Sequence, residues 1–491
     1  MLPAAVVAPP VGLVLLWTRS RARLLTKILA SLVIAGFGTI YTIAVLVRLF
    51  GMRAEMDGSG MWPLFTFHQP ETHYAELERS RQAPPVADAA APDAKAAPAT
   101  SHPAPSNYWT DFRGPNRDGR YDEMPILTQW PGRGLPRLWK QPVGGGYASF
   151  VVAGGMAFTI EQRRQQEVVA AYDLATGKQI WTHGWNGQFQ EGLGGDGPRA
   201  TPVWHQGRLY ALGAEGEFRC LEAATGKQLW GLNILTENQA QNITWGMANS
   251  PLIVDDKVIV LPGGSPGKSV VAYDKVTGKP VWKALDDKPS YTSPMLVTLG
   301  GRRQLLVVSA RRAMGLTVEE GALLWEYPWT TEFDINSAQP IVVGENRFFI
   351  SASYGHGAAV LEITPAGGAG FTARALWQNT RMKNKFNASV LFNGYIYGLD
   401  ESILACIDAA TGELKWKGGR YGYGQVLLAS GHLVVLTESG DVVLVKATPE
   451  RHQEVASFQA IEGKTWNNPA LAGGLLLVRN TTEMACFRIS P

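Results

Sequence analysis

From residue 108 to the C-terminus the chain repeats one hydrophobic pattern. Short runs rich in Val, Leu, Ile and Tyr are broken by two- to four-residue Gly, Asp or Asn turns. Examples are "ATPVWHQGRLYALG" (200–213), "NSPLIVDDKVIVLPG" (249–263) and "NASVLFNGYIYGLD" (387–400). Such runs predict consecutive strands joined by hairpins. No helical period of ten or more residues interrupts them. A large aromatic marks each unit: Trp139, Trp181, Trp230, Trp282, Trp325, Trp377 and Trp416, with Phe458 taking the same place in an eighth. The intervals run from 39 to 52 residues, a spacing that holds about four short strands and signals a radial array. Eight four-stranded antiparallel units closed on themselves leave no long open sheet edge. The expected fold is therefore all-β, an eight-bladed β-propeller over residues 139–490 with a lead-in segment at 108–138.

Most units carry an acidic residue, then T-G-K or a variant, then the aromatic, as in "AYDLATGKQIW" (171–181) and "CLEAATGKQLW" (220–230). The expected role is structural. Gly supplies a positive-φ turn, Thr and the acidic side chain cap exposed backbone, and the Trp enters the seam between neighbouring sheets. The phrase is expected where one blade's last strand crosses to the next blade. A phosphate loop needs G-x-x-x-x-G-K-[ST] between a strand and a helix, which neither this phrase nor "GGSPGKS" (263–269) supplies.

The N-terminal pattern is different. Ile28–Val47 is a 20-residue run without a charge, preceded by Arg19, Arg21, Arg23 and Lys27. This length spans a hydrocarbon core as a helix, and the basic flank places residues 1–27 in the cytoplasm or at its interface. The run is longer than the apolar core of a signal peptide, and no A-x-A site follows, so an uncleaved anchor is the preferred reading. Single-pass insertion in the bacterial inner membrane, with the propeller in the periplasm, is expected. The apolar stretch 2–17 is interrupted by Pro3, Pro9 and Pro10, which leaves a second span open. Residues 48–107 are expected to be a linker: its portion 83–106 is Ala/Pro-rich and reads as a far-reaching spacer, while 61–82 has the content of a short helix.

Charge narrows the function. Lys and Arg total 45 against 42 Asp and Glu, a net +3, without the basic excess of a nucleic-acid binder. Three cysteines, Cys220, Cys406 and Cys486, fit neither a disulfide framework nor a zinc pattern. Their repeat-equivalent placement marks them as small buried residues on the last strand of their blades. The eight His are scattered and no G-x-S-x-G elbow occurs, so no catalytic or metal-binding residue is predicted.

The phrase A-x-D-x-x-T-G-K-x-x-W, repeated about every 45 residues, resembles the PQQ-type propeller repeat. That repeat occurs in quinoprotein dehydrogenases and in the outer-membrane assembly factor BamB with its relatives. The opening "YWTDFRGPNRDGRY" (108–121) is similar to the lead-in of bacterial members. The dehydrogenase branch implies PQQ with calcium on the propeller axis, a pair of adjacent cysteines, a Trp platform and an Asp base. This chain has no adjacent cysteines, so no cofactor is predicted, and a quinoprotein oxidoreductase stands as the alternative. The resemblance to the other branch implies a non-enzymatic scaffold whose partners are envelope proteins or peptides. That branch is anchored by a lipidated Cys near the N-terminus; here the first Cys is Cys220, which leaves anchoring to the helix at 28–47.

Alignment of the eight units places one residue per blade at the channel mouth: Tyr147, Arg199, Ala248, Tyr291, Ser337, Asn387, Tyr423 and Trp466. Four aromatics with an Arg and an Asn form an amphipathic rim suited to a peptide or small ligand. The competing reading is that these side chains only plug the channel.

Overall fold

The computed structural model describes residues 13–14, 16–18, 20, 22–61, 63–67, 70–82, 107–192, 194–368 and 370–491. The chain divides into two units, residues 1–75 and 76–491.

The first unit is built on helix α1 (Leu24–Phe50), 27 residues that are uncharged between Lys27 and Arg48, with none buried. Gly51, in the left-handed region, ends it. A hairpin of β1 (Met52–Met56) and β2 (Pro63–Phe67) follows. Helix α2 (Pro70–Gln82) then runs on into the second unit. The stretch 48–82, expected to be linker, therefore holds regular elements; α2 lies within the segment read as a short helix. The spacer 83–106 and most of the apolar stretch 2–17 lie outside the described residues.

The second unit is the eight-bladed propeller. Blade 1 consists of Val151–Ala153, Met156–Arg163, Gln166–Asp173 and Gln179–Asn186, paired in sequence order. Blades 2–7 repeat this meander over 203–233, 252–284, 295–328, 341–379, 390–420 and 425–459. Blade 8 takes three strands from 470–488 and its outermost from β4 (Arg137–Pro142), so both ends of the propeller repeat share one sheet. The short β3 (Arg120–Tyr121) adds in parallel to the innermost strand of blade 7.

The middle strands are buried on both faces because each sheet is sandwiched by its neighbours, and they read as unbroken apolar runs. Gln166–Asp173 is buried at six consecutive positions, whereas the outermost Gln179–Asn186 alternates. The small polar phrase before each inner strand laces the ring. Ser149 N donates to Thr201 Oγ1 (3.0 Å), Thr201 N to Ser250 Oγ (3.1 Å) and Ser250 N to Ser293 Oγ (2.9 Å).

Register corrects three expectations. The T-G-K phrase closes the hairpin between the third and fourth strands of one blade, as between Asp173 and Gln179, and does not cross between blades. The four strands span the unit as a continuous meander, which puts the crossing after the aromatic strand. Each cysteine sits on the third strand, not the last, facing a tryptophan across the pair: Cys220 with Trp230, Cys406 with Trp416 and Cys486 with Trp139. Other blades place Ala171, Ala272, Gly315 or Val360 there, so the position takes a small or β-branched side chain beneath an indole. In blade 7 the place opposite the corresponding residue belongs to Ala456; Phe458 lies two residues further on. It packs instead on Gly134 and Phe487, because blade 8 has chain ends where the other blades have a turn.

The indoles reach across the seams. In six blades the Nε1–H donates to a carbonyl in the third-to-fourth-strand turn of the next blade: Trp139 to Leu174, Trp181 to Ala223, Trp230 to Lys275, Trp282 to Val318, Trp377 to Ala409 and Trp416 to Thr448, at 2.8–3.2 Å. Blade 5 joins these strands by a longer hairpin with no such turn. Trp325 accordingly turns its N–H to Gln304 of its own blade and lays its ring 5.6 Å from Phe348.

Candidate functional site: the channel and its rim

The innermost strands neighbour one another around an axis, and the lead-in occupies it. Trp109 is fully buried; its carbonyl accepts from Val152 N of blade 1, and Thr110 O accepts from Trp204 N of blade 2. Gly119 O accepts from Leu428 N of blade 7. Between these points stand two arginines, 1% and 2% exposed. Arg113 donates to Ser389 O (3.1 Å), Val426 O (3.3 Å) and Asn468 Oδ1 (3.2 Å), in blades 6 and 7 and the approach to blade 8. Arg117 donates to Ser250 O (3.2 Å), Pro294 O (2.8 Å) and Pro251 O, at blades 3 and 4, and pairs with Asp111 at 2.8 Å. Partners spread so widely around the ring are reached only from the axis. Both arginines have φ near +60°, the left-handed region that a non-Gly residue enters at a cost of roughly 1 kcal/mol. The hydrogen bonds of each planar fork offset that cost. Burial draws Arg113 down to about 10, with Asp118 opposing. Burial also raises the Asp111 carboxyl against the pull of Arg117.

Sequence repeats gave no hint of these arginines, since a residue that occurs once per ring has no repeat to mark it. The available signal was the density of Arg and Asp in "DFRGPNRDG".

The rim lies at the opposite end of the inner strands from the T-G-K turns, because four antiparallel strands return the third-to-fourth turn to the far face. In blades 1–5 and 8 the rim residue stands four positions before the first paired residue of the inner strand. The same count from Val390 in blade 6 reaches Phe386, so Asn387 is displaced by one. Asn387 is buried below the mouth and accepts from Lys385 N.

With Phe386 in place, an aromatic arc is continuous. The rings of Tyr147 and Trp466 lie 5.3 Å apart, Trp466 and Phe386 4.6 Å, and Phe386 and Tyr423 5.8 Å. Cations sit over these faces. Lys464 is 4.3 Å from Trp466, Lys385 is 5.2 Å from Tyr423 and 5.4 Å from Tyr354, and Arg199 is 5.4 Å from Tyr147 and 4.8 Å from Phe189. Burial lowers the Arg199 pKa. Its guanidinium holds Gly195 O and Gly197 O, which shapes the loop before blade 2. Glu438 clasps the arc from below, accepting from Trp466 Nε1 (2.8 Å) and Tyr423 N (3.1 Å).

Tyr291 stands apart, paired with Trp245 at 5.5 Å, and burial raises its pKa. Ala248 and Ser337 add no ring. Phe333, more than half exposed, meets Tyr354 edge-on at 5.4 Å. Phe386, Lys385, Lys464, Glu438 and Tyr354 were missed from the sequence because they lie on loops of unequal length, where the repeat loses register.

Among the described residues, no group of three or more His, Cys, Asp or Glu is placed to hold a metal. The three cysteines are free, buried and in different blades. The axis beneath the rim is filled by Arg113 and Arg117. Two guanidiniums supply no oxygen ligand for a calcium ion.

Known proteins place this architecture. A protein 22% identical over 379 residues, covering 66% of this chain and 92% of its own length, is the outer membrane protein assembly factor BamB of Burkholderia pseudomallei. The crystal structure of BamB from Moraxella catarrhalis superposes with a TM-score of 0.53 at 15% identity, over 72% of this chain and all of that one. The quinohemoprotein alcohol dehydrogenase of Comamonas testosteroni is 32% identical over 124 residues, which are 24% of this chain but 17% of that enzyme. The family model described as outer membrane protein assembly factor BamB matches residues 164–418, more than half the chain. The chain therefore belongs to that family.

Proposed function

We propose that this protein is a membrane-anchored envelope scaffold whose propeller binds other proteins during outer-membrane protein assembly. The family match carries the reading. Helix α1 supplies the anchor, since its length and apolar surface suit a hydrocarbon core. A single-pass inner-membrane protein with a periplasmic propeller follows from the basic residues before that helix. Its partners are envelope proteins or peptides, with no nucleic acid and no cofactor. The rim arc is the surface offered for partner contact: ring faces, cations and a polar edge are the composition of interface hot spots.

Photo-crosslinking from position 333, exposed beside the rim, in intact cells tests this. Envelope proteins captured there, and lost on Trp466→Ala with Phe386→Ala, support the scaffold. A purified protein that takes up PQQ with calcium and reduces dye in the presence of an alcohol or sugar would replace the scaffold reading with an oxidoreductase.

A further inference from the structure

The Ala/Pro-rich segment 83–106 has the composition of a tether, yet the chain is fixed to the propeller on both sides of it. On the C-terminal side, Asn107 Oδ1 accepts from Gly154 N of blade 1 at 2.8 Å. On the N-terminal side, the last turns of α2 are held at the seam where blade 8 meets blade 1. Arg81 donates to Gln141 Oε1 and, at 2.7 Å, to Pro142 O, both in β4 of blade 8. The same guanidinium lies 4.9 Å from the Tyr172 ring of blade 1 and donates to its hydroxyl at 3.3 Å. It also faces the buried Glu161 carboxylate, which Arg163 and Arg479 share. One turn earlier, Glu78 pairs with Arg164 of blade 1, Nε to Oε1 2.9 Å and Nη2 to Oε2 3.3 Å. Leu77, next to Glu78, is 1% exposed.

This is a built contact: one apolar side chain buried, one fork bonded to both blades and one two-point ion pair. A planar guanidinium with several fixed acceptors is held far more firmly than a surface lysine.

We propose that residues 76–82 are a permanent part of the propeller, so that the tether from α1 ends at residue 75 and not at residue 106. The connection from α1 to the propeller is then residues 51–75 in place of 51–106, which cuts its maximum reach by roughly half. The distance open to the propeller from its anchor is then set by the shorter connection. One side of that seam is the blade 8 sheet in which the first and last strands of the propeller pair, so the same contact reinforces the ring. This rests on the anchor reading for its membrane consequence alone; the docking stands without it.

The test uses the full-length protein in membranes, with a protease site inserted in 83–106. Glu78→Cys is combined with Arg164→Cys, or with Lys415→Cys on the outer strand of blade 6 as a control, and treated with a short bis-maleimide before cleavage. The 78/164 pair should join the two fragments on a denaturing gel, and the 78/415 pair should not. Adding Arg81→Glu should lower the joined product roughly tenfold, as expected for losing charged hydrogen bonds. Equal joining by both pairs, or none by either, overturns the docking. Joined fragments that pellet with membranes support both readings. Joined fragments in the supernatant keep the docking and discard the anchor.

Discussion

The indole of Trp181 lies flat on Gly226 of the neighbouring blade, its Nε1 3.0 Å from the carbonyl of Ala223. A Cβ built on Gly226 would stand 2.4 Å from Trp181 Cε3, and the residue has φ +74°. The same relation recurs for Gly177 under Trp139, Gly278 under Trp230, Gly321 under Trp282 and Gly412 under Trp377. The glycine thus answers to two demands at once, a left-handed turn and an indole with no room above it. Gly226→Ala should cost about 2–4 kcal/mol from overpacking and backbone strain together. Trp181→Ala should cost about 3–5 kcal/mol. Denaturant unfolding of the two single variants and the double variant measures the coupling; strictly additive effects would mean that the two residues do not share the seam.

The axial arginines yield a sharper contrast. Arg113→Met removes three hydrogen bonds to Ser389 O, Val426 O and Asn468 Oδ1, at a cost of about 1–3 kcal/mol for each group left unpaired. Arg113→Lys should restore little, because a point charge cannot span Ser389, Val426 and Asn468 as a fork does. Arg117→Lys should behave alike and also loosen Asp111. Midpoints in urea distinguish this from a replaceable positive charge, for which the lysine variants would unfold as wild type.

Two buried glutamates pull stability in opposite directions with pH. Glu167, between Trp185 Nε1 (3.0 Å) and Ala214 N (2.8 Å) at the seam of blades 1 and 2, is pushed by burial up to about 7 against those bonds. The folded protein then holds a proton that the unfolded chain releases near 4.5, so its contribution falls as pH rises from about 4.5 to 7. Burial opposes the Glu161 carboxylate too, but Arg163, Arg81 and Arg479 outweigh it and hold it at about 2. That contribution is lost as pH falls from about 4.5 to 2. Melting temperatures across pH 3–8 should therefore fall toward neutrality in a way that Glu167→Gln abolishes. An unchanged slope in that variant would assign the fall to other groups.

Rim substitutions should separate binding from folding. Trp466→Ala removes the centre of the aromatic arc and its hydrogen bond to Glu438. It should weaken partner capture by a factor of ten or more, as a hot-spot residue does at about 2 kcal/mol. Ser337→Ala, at the bare side of the rim, should leave capture unchanged. Equal effects from both would mean the arc has no special part in recognition.

The blades were legible because each strand, turn and anchoring Trp is repeated, and each copy checks the others. Legibility failed where repetition stops. Asn387 displaced Phe386 because the inner strand of blade 6 begins one residue nearer its rim position than the small-polar phrase suggests, and only the pairing of Val390 with Tyr397 fixes that count. Phe458 was read as a Trp equivalent by spacing, although the bulge at Leu444 and Val445 assigns that place to Ala456. The T-G-K turn is expected between blades, and not within one, because period alone does not say which of four strands opens the unit. Arg113, Arg117 and Arg81 occur once each, and their roles depend on contacts across as many as 355 positions of sequence, as between Arg113 and Asn468. No local pattern encodes such a contact.

Blade 8 draws its outermost strand from residues 137–142 and the rest from 470–488, with Trp139 facing Cys486. That pairing is among the last the chain can make, whatever order the other blades follow. A product stopped before residue 470 holds seven complete blades and an N-terminal strand with nothing to pair with. Ring closure thus waits on the last strands of the polypeptide: only a molecule that carries residues 470–488 covers both of its open edges.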